Sequence, residues 1–156
     1  DTSSVQLPIY QFRGNDARLE GFEGSLDVRI AGNLVFDGTT SYVRGDLSEG
    51  GGPLPLIPPL RSRLALEYAP ATWFARMETE LSAAQRRIGE FETTTDGYAV
   101  FHASAGVRLT IAGRLNVLTV SADNLTDEAY RNHLSRVKEI MPEAGRGLSV
   151  TYRVVF

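Results

Sequence analysis

Apolar and polar side chains alternate along most of this chain, and this period of two constrains the fold more than any other feature. In the C-terminal run 148–156, apolar residues occupy every second position and mostly polar residues fill the positions between them. Successive side chains of a β-strand point to opposite faces of the sheet, so such a run forms a strand with one apolar face. Helical periodicity is scarce, and we therefore predict an all-β fold.

The alternation recurs along the chain and predicts about eight strands, most of them long. The regular segments are 22–30, 60–68, 73–81, 101–111 and 148–156. The less regular segments are 5–13, 33–45 and 114–123. Pro8 indicates an edge strand or a strand start in the first of these, and a change of phase between Val117 and Leu118 predicts a β-bulge in the last.

The predicted connections have two lengths, which alternate along the chain. The short ones lie at 31–32, 69–71 and 112–113, and the long ones lie at 46–58, 88–97 and 125–145. In an antiparallel up-and-down meander, alternate connections lie at the same end, so all long loops share one end. This is the arrangement of a transmembrane β-barrel in the outer membrane, with short periplasmic turns and longer extracellular loops. The short connection at 14–16 falls at the long-loop end and is the exception.

Composition excludes several classes of protein. The 156 residues carry 16 Lys and Arg against 19 Asp and Glu, a net charge of −3, which argues against a nucleic-acid binder. There is no cysteine, so a disulfide framework, a thiolate nucleophile and a cysteine-based metal site are excluded. The sequence contains no run of about 18 apolar residues, so it predicts no transmembrane helix. A β-barrel agrees with the mean hydropathy of −0.15, because its lipid face and its lumen face average out.

The polar side of the predicted strands carries many charges. They do not fit the packed interior of a small soluble barrel, whereas they fit the wall of a wide, water-accessible lumen. The candidate wall residues include Glu78, Glu80, His102 and Arg108. Aromatic residues near the short turns and the C-terminus fit the aromatic girdle of such a barrel; they are Tyr68, Trp73, Tyr152 and Phe156. On periodicity alone, a soluble antiparallel sheet such as a β-sandwich is an equally good interpretation.

Several segments resemble TonB-dependent outer-membrane receptors. Residues 123–130, with the sequence DNLTDEAY, are similar to the motif of their penultimate strand, and residues 145–156 resemble their last strand. The terminal Phe156 is similar to the signal that outer-membrane proteins present to the barrel-assembly machinery. Residues 17–26 and 58–68 resemble two further barrel strands, and the matches follow the family order.

The resemblance implies a barrel of about 22 strands with an N-terminal plug, of which residues 1–156 would be the C-terminal segment. We expect the plug, the N-terminal strands and the TonB-contacting segment to be absent from this chain. An incomplete sheet exposes unpaired backbone groups at its edges. We therefore expect the sheet to close on itself, to self-associate through its open edges, or to pair with the missing strands.

The implied function is import of a metal ion, a metal–siderophore complex or haem across a Gram-negative outer membrane. The resemblance implies outer-membrane lipid, TonB through the plug and a small-molecule or metal ligand as partners, and no resident cofactor. No enzymatic activity is expected: Glu78 and Glu80 lie about 7 Å apart on one strand face, a glycosidase-like separation, but acids on a lumen wall need no catalytic role. The alternatives are a soluble antiparallel β-sheet interaction module and a small complete outer-membrane barrel.

The loop 125–145 has the densest set of charged residues, and binding residues concentrate on loops held by a rigid scaffold. Its sequence is similar to the corresponding loop of receptors that resemble zinc-uptake proteins. Nitrogen and oxygen ligands suit Zn²⁺, and the candidates are His133, Glu139 and Glu143. The candidate ligand-binding residues of the loop are Asp127, Arg131 and Arg136. The loop contains no pair of histidines at i and i+4, which would be a stronger metal-binding pattern. The alternative interpretation is therefore a loop whose charges simply face water.

Three other residues are candidates for a ligand contact or for a structural role. His102, on the polar face, is either a ligand contact in the lumen or a hydrogen-bonded wall residue. Asn124 and Tyr130 are better interpreted as structural, because an Asn side chain can bond nearby backbone and start a turn, and a Tyr can anchor the loop.

Overall fold

A computed structural model of the chain describes residues 14–48 and 51–155. Within these ranges seven strands form one antiparallel sheet, in which each strand pairs with its neighbours in chain order. The strands are β1 (Ala17–Ala31), β2 (Leu34–Leu47), β3 (Arg61–Tyr68), β4 (Trp73–Ser82), β5 (Tyr98–Ile111), β6 (Arg114–Asp123) and β7 (Gly147–Val155). The predicted all-β meander is confirmed. The predicted strand 5–13 and Phe156 lie outside the described residues.

The pairing register collects the apolar positions of all strands on one face. One row of cross-strand partners runs from Val28 through Phe36 and Leu66 to Met77. The adjacent row runs from Asp37 through Ala65 and Glu78 to His102. Since successive residues of a strand point to opposite faces, these rows define an apolar face and a polar face.

The apolar face is open to the surroundings. Large side chains on it are half exposed or more, among them Phe22 at 55%, Met77 at 51% and Val150 at 70%. All described strands belong to the same sheet, so in this part of the chain no second sheet covers the apolar face as a β-sandwich would require. The described residues contain no helix long and apolar enough to span a membrane.

The few buried apolar residues lie on the polar face. In the described ranges they are Ala65, Tyr98 and Val100. They lie in β3 and β5, where loops and long polar side chains cover the sheet. The packed part of this structure is therefore on the side opposite to the apolar face.

Short turns and long loops alternate between the two ends of the sheet, as predicted. The β5–β6 turn contains Ala112 and Gly113, both at positive φ (49° and 76°), which is the geometry of a two-residue type I′ hairpin. At the other end lie loop L1 (48–60), loop L2 (83–97) and loop L3 (124–146).

The predicted β-bulge between Val117 and Leu118 is wrong. The pairing of β6 with β5 and β7 runs without interruption through both residues. The phase change instead reflects side-chain identity: Asn116 occupies a position on the apolar face, where it accepts a hydrogen bond from the Tyr152 hydroxyl and donates to the Arg114 carbonyl at 2.9 Å. Because its polar group is satisfied, Asn116 is buried there at 6% exposure.

The described sheet has two open edges. Among the described strands, β1 pairs with β2 alone and β7 pairs with β6 alone. The expectation that the sheet closes on itself is therefore not met within this part of the chain.

Candidate functional site: the polar ladder and the loop junction

Charged side chains of β2, β3 and β4 form a continuous network on the polar face, which we call the polar ladder. Their positions alternate with apolar ones in sequence, so the strand geometry alone places them together. The polar ladder consists of Asp37, Arg61, Arg63, Glu67, Arg76, Glu78 and Glu80.

Arg76 is the centre of the polar ladder. Its guanidinium donates two hydrogen bonds to the Asp37 carboxylate, at 2.7 and 2.9 Å, and a third to Glu78 at 3.1 Å. Such bidentate pairing fixes the planar guanidinium in one orientation. The Arg76 side chain is 27% exposed, so its orientation is fixed while solvent still reaches it.

Glu80 connects the polar ladder to the long loops. Its carboxylate accepts a hydrogen bond from the Tyr98 hydroxyl at 2.7 Å and forms ion pairs with Arg61 and Arg63. The Tyr98 ring packs against Tyr130 of L3, with 4.4 Å between ring centroids. Burial raises the pKa of Tyr130, so its hydroxyl stays protonated.

The predicted wall residues fall into two groups. A cavity of about 380 Å³ on the polar face brings together Glu78, Glu80 and His102, and His102 Nδ1 lies 3.1 Å from the Asp123 carboxylate. Arg108 is held elsewhere: it donates to the carbonyls of Pro70 and Trp73 at 3.2 and 3.3 Å. Arg108 thus fixes the short β3–β4 turn at the other end of the sheet.

The side chain of Asn124 closes the base of L3. Asn124 is 2% exposed and has a positive φ of 47°. Its amide nitrogen donates to the Glu128 and Ala144 carbonyls at 2.9 and 3.2 Å, and its oxygen accepts from the Glu128 amide at 2.8 Å. Asn tolerates this backbone conformation better than most residues, and these contacts support the structural interpretation of Asn124.

His133 of L3 lies at the centre of a buried polar cluster between L2 and L3, the loop junction. It is 3% exposed, and its Nδ1 lies 3.1 Å from Thr95 Oγ1 and 3.3 Å from Lys138 Nζ. Lys138 in turn donates to the Thr93 carbonyl at 2.9 Å. Since an ammonium group only donates, Nδ1 is the acceptor and Nε2 carries the proton.

Nε2 of His133 faces Glu92 of L2, and the two atoms Nε2 and Oε1 are 3.7 Å apart. This nitrogen has no hydrogen-bond partner within the described part of the chain. Burial and the neighbouring Lys138 ammonium lower the pKa of His133, against the opposite effect of the Glu92 carboxylate. The ring is therefore neutral at neutral pH and links L2 to L3 without a second buried positive charge.

Glu92 also positions two backbone segments. Its carboxylate accepts hydrogen bonds from the amides of Leu56 in L1 and Gly89 in L2, at 2.8 and 2.9 Å. The Glu92 side chain is only 9% exposed. Leu56 and Phe91, the residue before Glu92, both have a positive φ, of 58° and 65°. Both side chains are exposed, at 66% and 97%. The Glu92 carboxylate therefore holds the strained backbone of Leu56 directly, and Phe91 lies within the turn that the same carboxylate closes onto the Gly89 amide.

L1 and L2 are joined by a second buried contact. Gln85 donates from its side chain to the Ile57 carbonyl at 2.8 Å, and its backbone forms a β-bridge with Thr95. Gln85 and Thr95 are 8% and 6% exposed. All three long loops are thus tied together through L2.

The structure does not gather the predicted zinc ligands into one site. Glu139 accepts a hydrogen bond from Thr93, and the carboxylate that His133 Nε2 faces at 3.7 Å is that of Glu92, which belongs to another loop. In residues 14–48 and 51–155 no group of three or more His, Cys, Asp or Glu is arranged to hold a metal ion.

The predicted ligand-binding residues of L3 have different surroundings. The Asp127 carboxylate accepts a hydrogen bond from the Arg146 amide at 2.8 Å, and Arg131 donates to the Lys138 carbonyl. Both residues thus brace the loop. Arg136 is exposed.

Sequence reasoning missed several residues of this site, among them Asp37, Glu92, Thr95 and Tyr98. The alternation within 33–45 places Asp37 on the polar face, so its role was accessible from the pattern. Glu92 and Thr95 lie in a loop without periodicity, and nothing in the local sequence indicates which side chains become buried by contact with another loop.

Comparison with known proteins agrees with this architecture. The family described as TonB dependent receptor-like, beta-barrel, matches residues 1–125. Among solved structures, the copper transporter OprC is similar, with a TM-score of 0.78 and 29% sequence identity over 86% of this chain. The chain spans 23% of the OprC chain. No curated protein sequence matches.

Proposed function

The chain belongs to the TonB-dependent receptor β-barrel family, and on that premise we propose that residues 1–156 form the last section of the barrel of an outer-membrane importer. In this proposal the apolar face contacts lipid, the polar face lines the lumen, and L1, L2 and L3 face the outside of the cell. The plug, which receives energy from TonB, is supplied by the rest of the receptor.

One observation supports the proposal most strongly, namely the chemistry of the two faces of a single sheet. The apolar face exposes large side chains from β1 to β7, which matches a lipid-facing surface. The opposite face carries the polar ladder, in which charges are paired but remain partly exposed. Such a network is costly in a dry core and is well placed on the wall of a water-filled lumen.

For the transported ligand we propose a metal ion or a metal chelate, in the class that also contains metal–siderophore complexes and haem. The similar structure is that of a copper transporter, and L3 resembles a loop of metal-uptake receptors. In this chain the ligand would meet the loop end, where Leu56 and Phe91 project, before it passes along the cavity lined by Glu78, Glu80 and His102.

The experiment is an uptake assay on the full-length receptor. The receptor is expressed in a Gram-negative strain that lacks its own receptors, and cell-associated copper, zinc, ferric siderophore and haem are each measured under restriction. Accumulation of one ligand that is lost in a strain without TonB supports the proposal. Accumulation of none of them, or accumulation that does not need TonB, contradicts it.

A loop-replacement variant tests the role of L3. Residues 131–142 are replaced by a Gly-Ser linker of equal length, which leaves the Asn124 and Asp127 contacts at the base of L3 in place. We expect the barrel to assemble at normal levels while uptake falls at least about tenfold, as for loss of one strong binding contact. The control inserts a Gly-Ser linker of the same length between Gly51 and Gly52 in L1, and it should leave uptake unchanged.

A further inference from the structure

The apolar face of the sheet gives way to charged residues at the long-loop end of β1 and β2. Phe22 and Tyr42 lie on the apolar face with ring centroids 5.9 Å apart. The next residues on the same face of these strands are Glu20 and Arg44, which are cross-strand partners, followed by the pair Arg18 and Asp46. The apolar face thus ends at the aromatic pair, and a charged patch begins one step further out.

The charged patch has one positive charge in excess. Arg18 pairs with Glu20, Arg44 pairs with Asp46 at 2.8 Å, and Arg87 reaches from L2 to the same Asp46 carboxylate. The patch therefore contains three guanidinium groups and two carboxylates.

The arginines of the patch retain unused donors. Arg44 binds Asp46 through Nε, and its two terminal nitrogens have no hydrogen bond within the described residues. The Arg44 side chain is 48% exposed and that of Arg18 is 78% exposed. A small cavity of about 160 Å³ lies between these side chains and their carboxylate partners.

We propose that this patch, formed by Arg18, Arg44 and Arg87, binds the phosphorylated headgroup of a lipid in the outer leaflet. The guanidinium fork matches two oxygens of a phosphate group, and a phosphate at this level lies directly above a lipid-facing aromatic pair. The site rests on the proposed function, because it requires the apolar face to lie in the bilayer with the long loops outside.

The test uses the full receptor in nanodiscs that contain lipid A with both phosphate groups, or lipid A from which both phosphates have been removed. The number of lipids that the receptor retains is measured by native mass spectrometry. We expect the receptor to retain phosphorylated lipid A, and we expect Arg44→Ala to lower its retention roughly fivefold, since one basic residue at an anionic lipid surface contributes on that order. The double variant with Arg18→Ala should lose more, and Arg44→Lys should keep part of the binding.

The control is Arg153→Ala, which makes the same charge change on the polar face, and it should retain lipid as the unmodified receptor does. Equal retention of phosphorylated and dephosphorylated lipid A overturns the proposal, and so does unchanged retention by the double variant. Displacement of the lipid by inorganic phosphate at the same phosphate concentration overturns the assignment to a lipid. Membrane fractionation is read separately: a receptor outside the outer membrane refutes the proposed function, whereas one inside it without phosphate-dependent retention refutes only the lipid site.

Discussion

The side chains of Glu92 and Gln85 both tie L1 to L2, and replacement of Glu92 by Ala should loosen both loops. The substitution leaves the amides of Leu56 and Gly89 without the carboxylate that now accepts them at 2.8 and 2.9 Å. A hydrogen bond to a charged group contributes about 1.5–3 kcal/mol. Because the Glu92 side chain is only 9% exposed, water replaces little of this, and we expect the free energy of local opening to fall by about 3 kcal/mol in total.

Amide hydrogen exchange on the full receptor measures this change directly. A loss of about 3 kcal/mol corresponds to exchange of the Leu56 and Gly89 amides about a hundredfold faster, if exchange follows local opening. Glu92→Gln keeps one carbonyl oxygen as an acceptor and should produce an intermediate effect. Glu90→Ala, which removes an exposed carboxylate from the same loop, is the matched control. Unchanged exchange in Glu92→Ala, or equal acceleration by the Glu90 variant, would refute the reasoning.

Three further predictions concern the junction, the polar ladder and the base of L3. The pKa of His133 is lowered in the folded state. Its stabilisation of the loop junction is therefore complete above the ordinary histidine pKa of about 6.5 and is lost as pH falls through the lower folded pKa. Hydrogen exchange of L2 should accelerate below that folded pKa, and His133→Gln should remove the pH dependence. Arg76→Ala should lower the free energy of unfolding in urea by about 1–2 kcal/mol, allowing for partial solvation, and the double variant with Asp37→Ala should recover part of the loss; full additivity would contradict a coupled pair. Asn124→Ala removes three hydrogen bonds of a buried side chain and should lower the stability of the L3 base by about 2–4 kcal/mol, which is measured as faster proteolysis within L3. Asn124→Asp should have an intermediate effect because it keeps the acceptor oxygen. Proteolysis of the Ala variant at the rate of the unmodified receptor would contradict this role.

The alternation of the sequence predicted the strands well because side-chain direction in a strand depends only on position parity. All seven described strands overlap predicted segments, and the long and short connections lie where turn residues indicated them. The failure at Val117 has a clear cause. A polar Asn116 on the apolar face resembles a shift of register in the sequence, and only the partner Tyr152, more than thirty residues away, shows why none is needed.

The candidate site was less predictable because its contacts join segments distant in sequence. Loop composition indicated L3 as rich in charge, and it led to Glu139 as a partner for His133, whereas the structure places Glu92 of L2 opposite the ring. Which loop residues become buried depends on how L1, L2 and L3 pack on each other. That packing is set by the lengths and directions of three strand ends, and no local pattern encodes it.

The closed base of L3 makes this loop a replaceable module. Asn124 bonds the Ala144 carbonyl and Asp127 bonds the Arg146 amide, so the two ends of the loop are held together by residues at its own margins. The pairing of Asp123 with Gly147 then does not depend on what lies between 129 and 142. The interior of L3 can therefore be exchanged or lengthened while β7 keeps its pairing with β6.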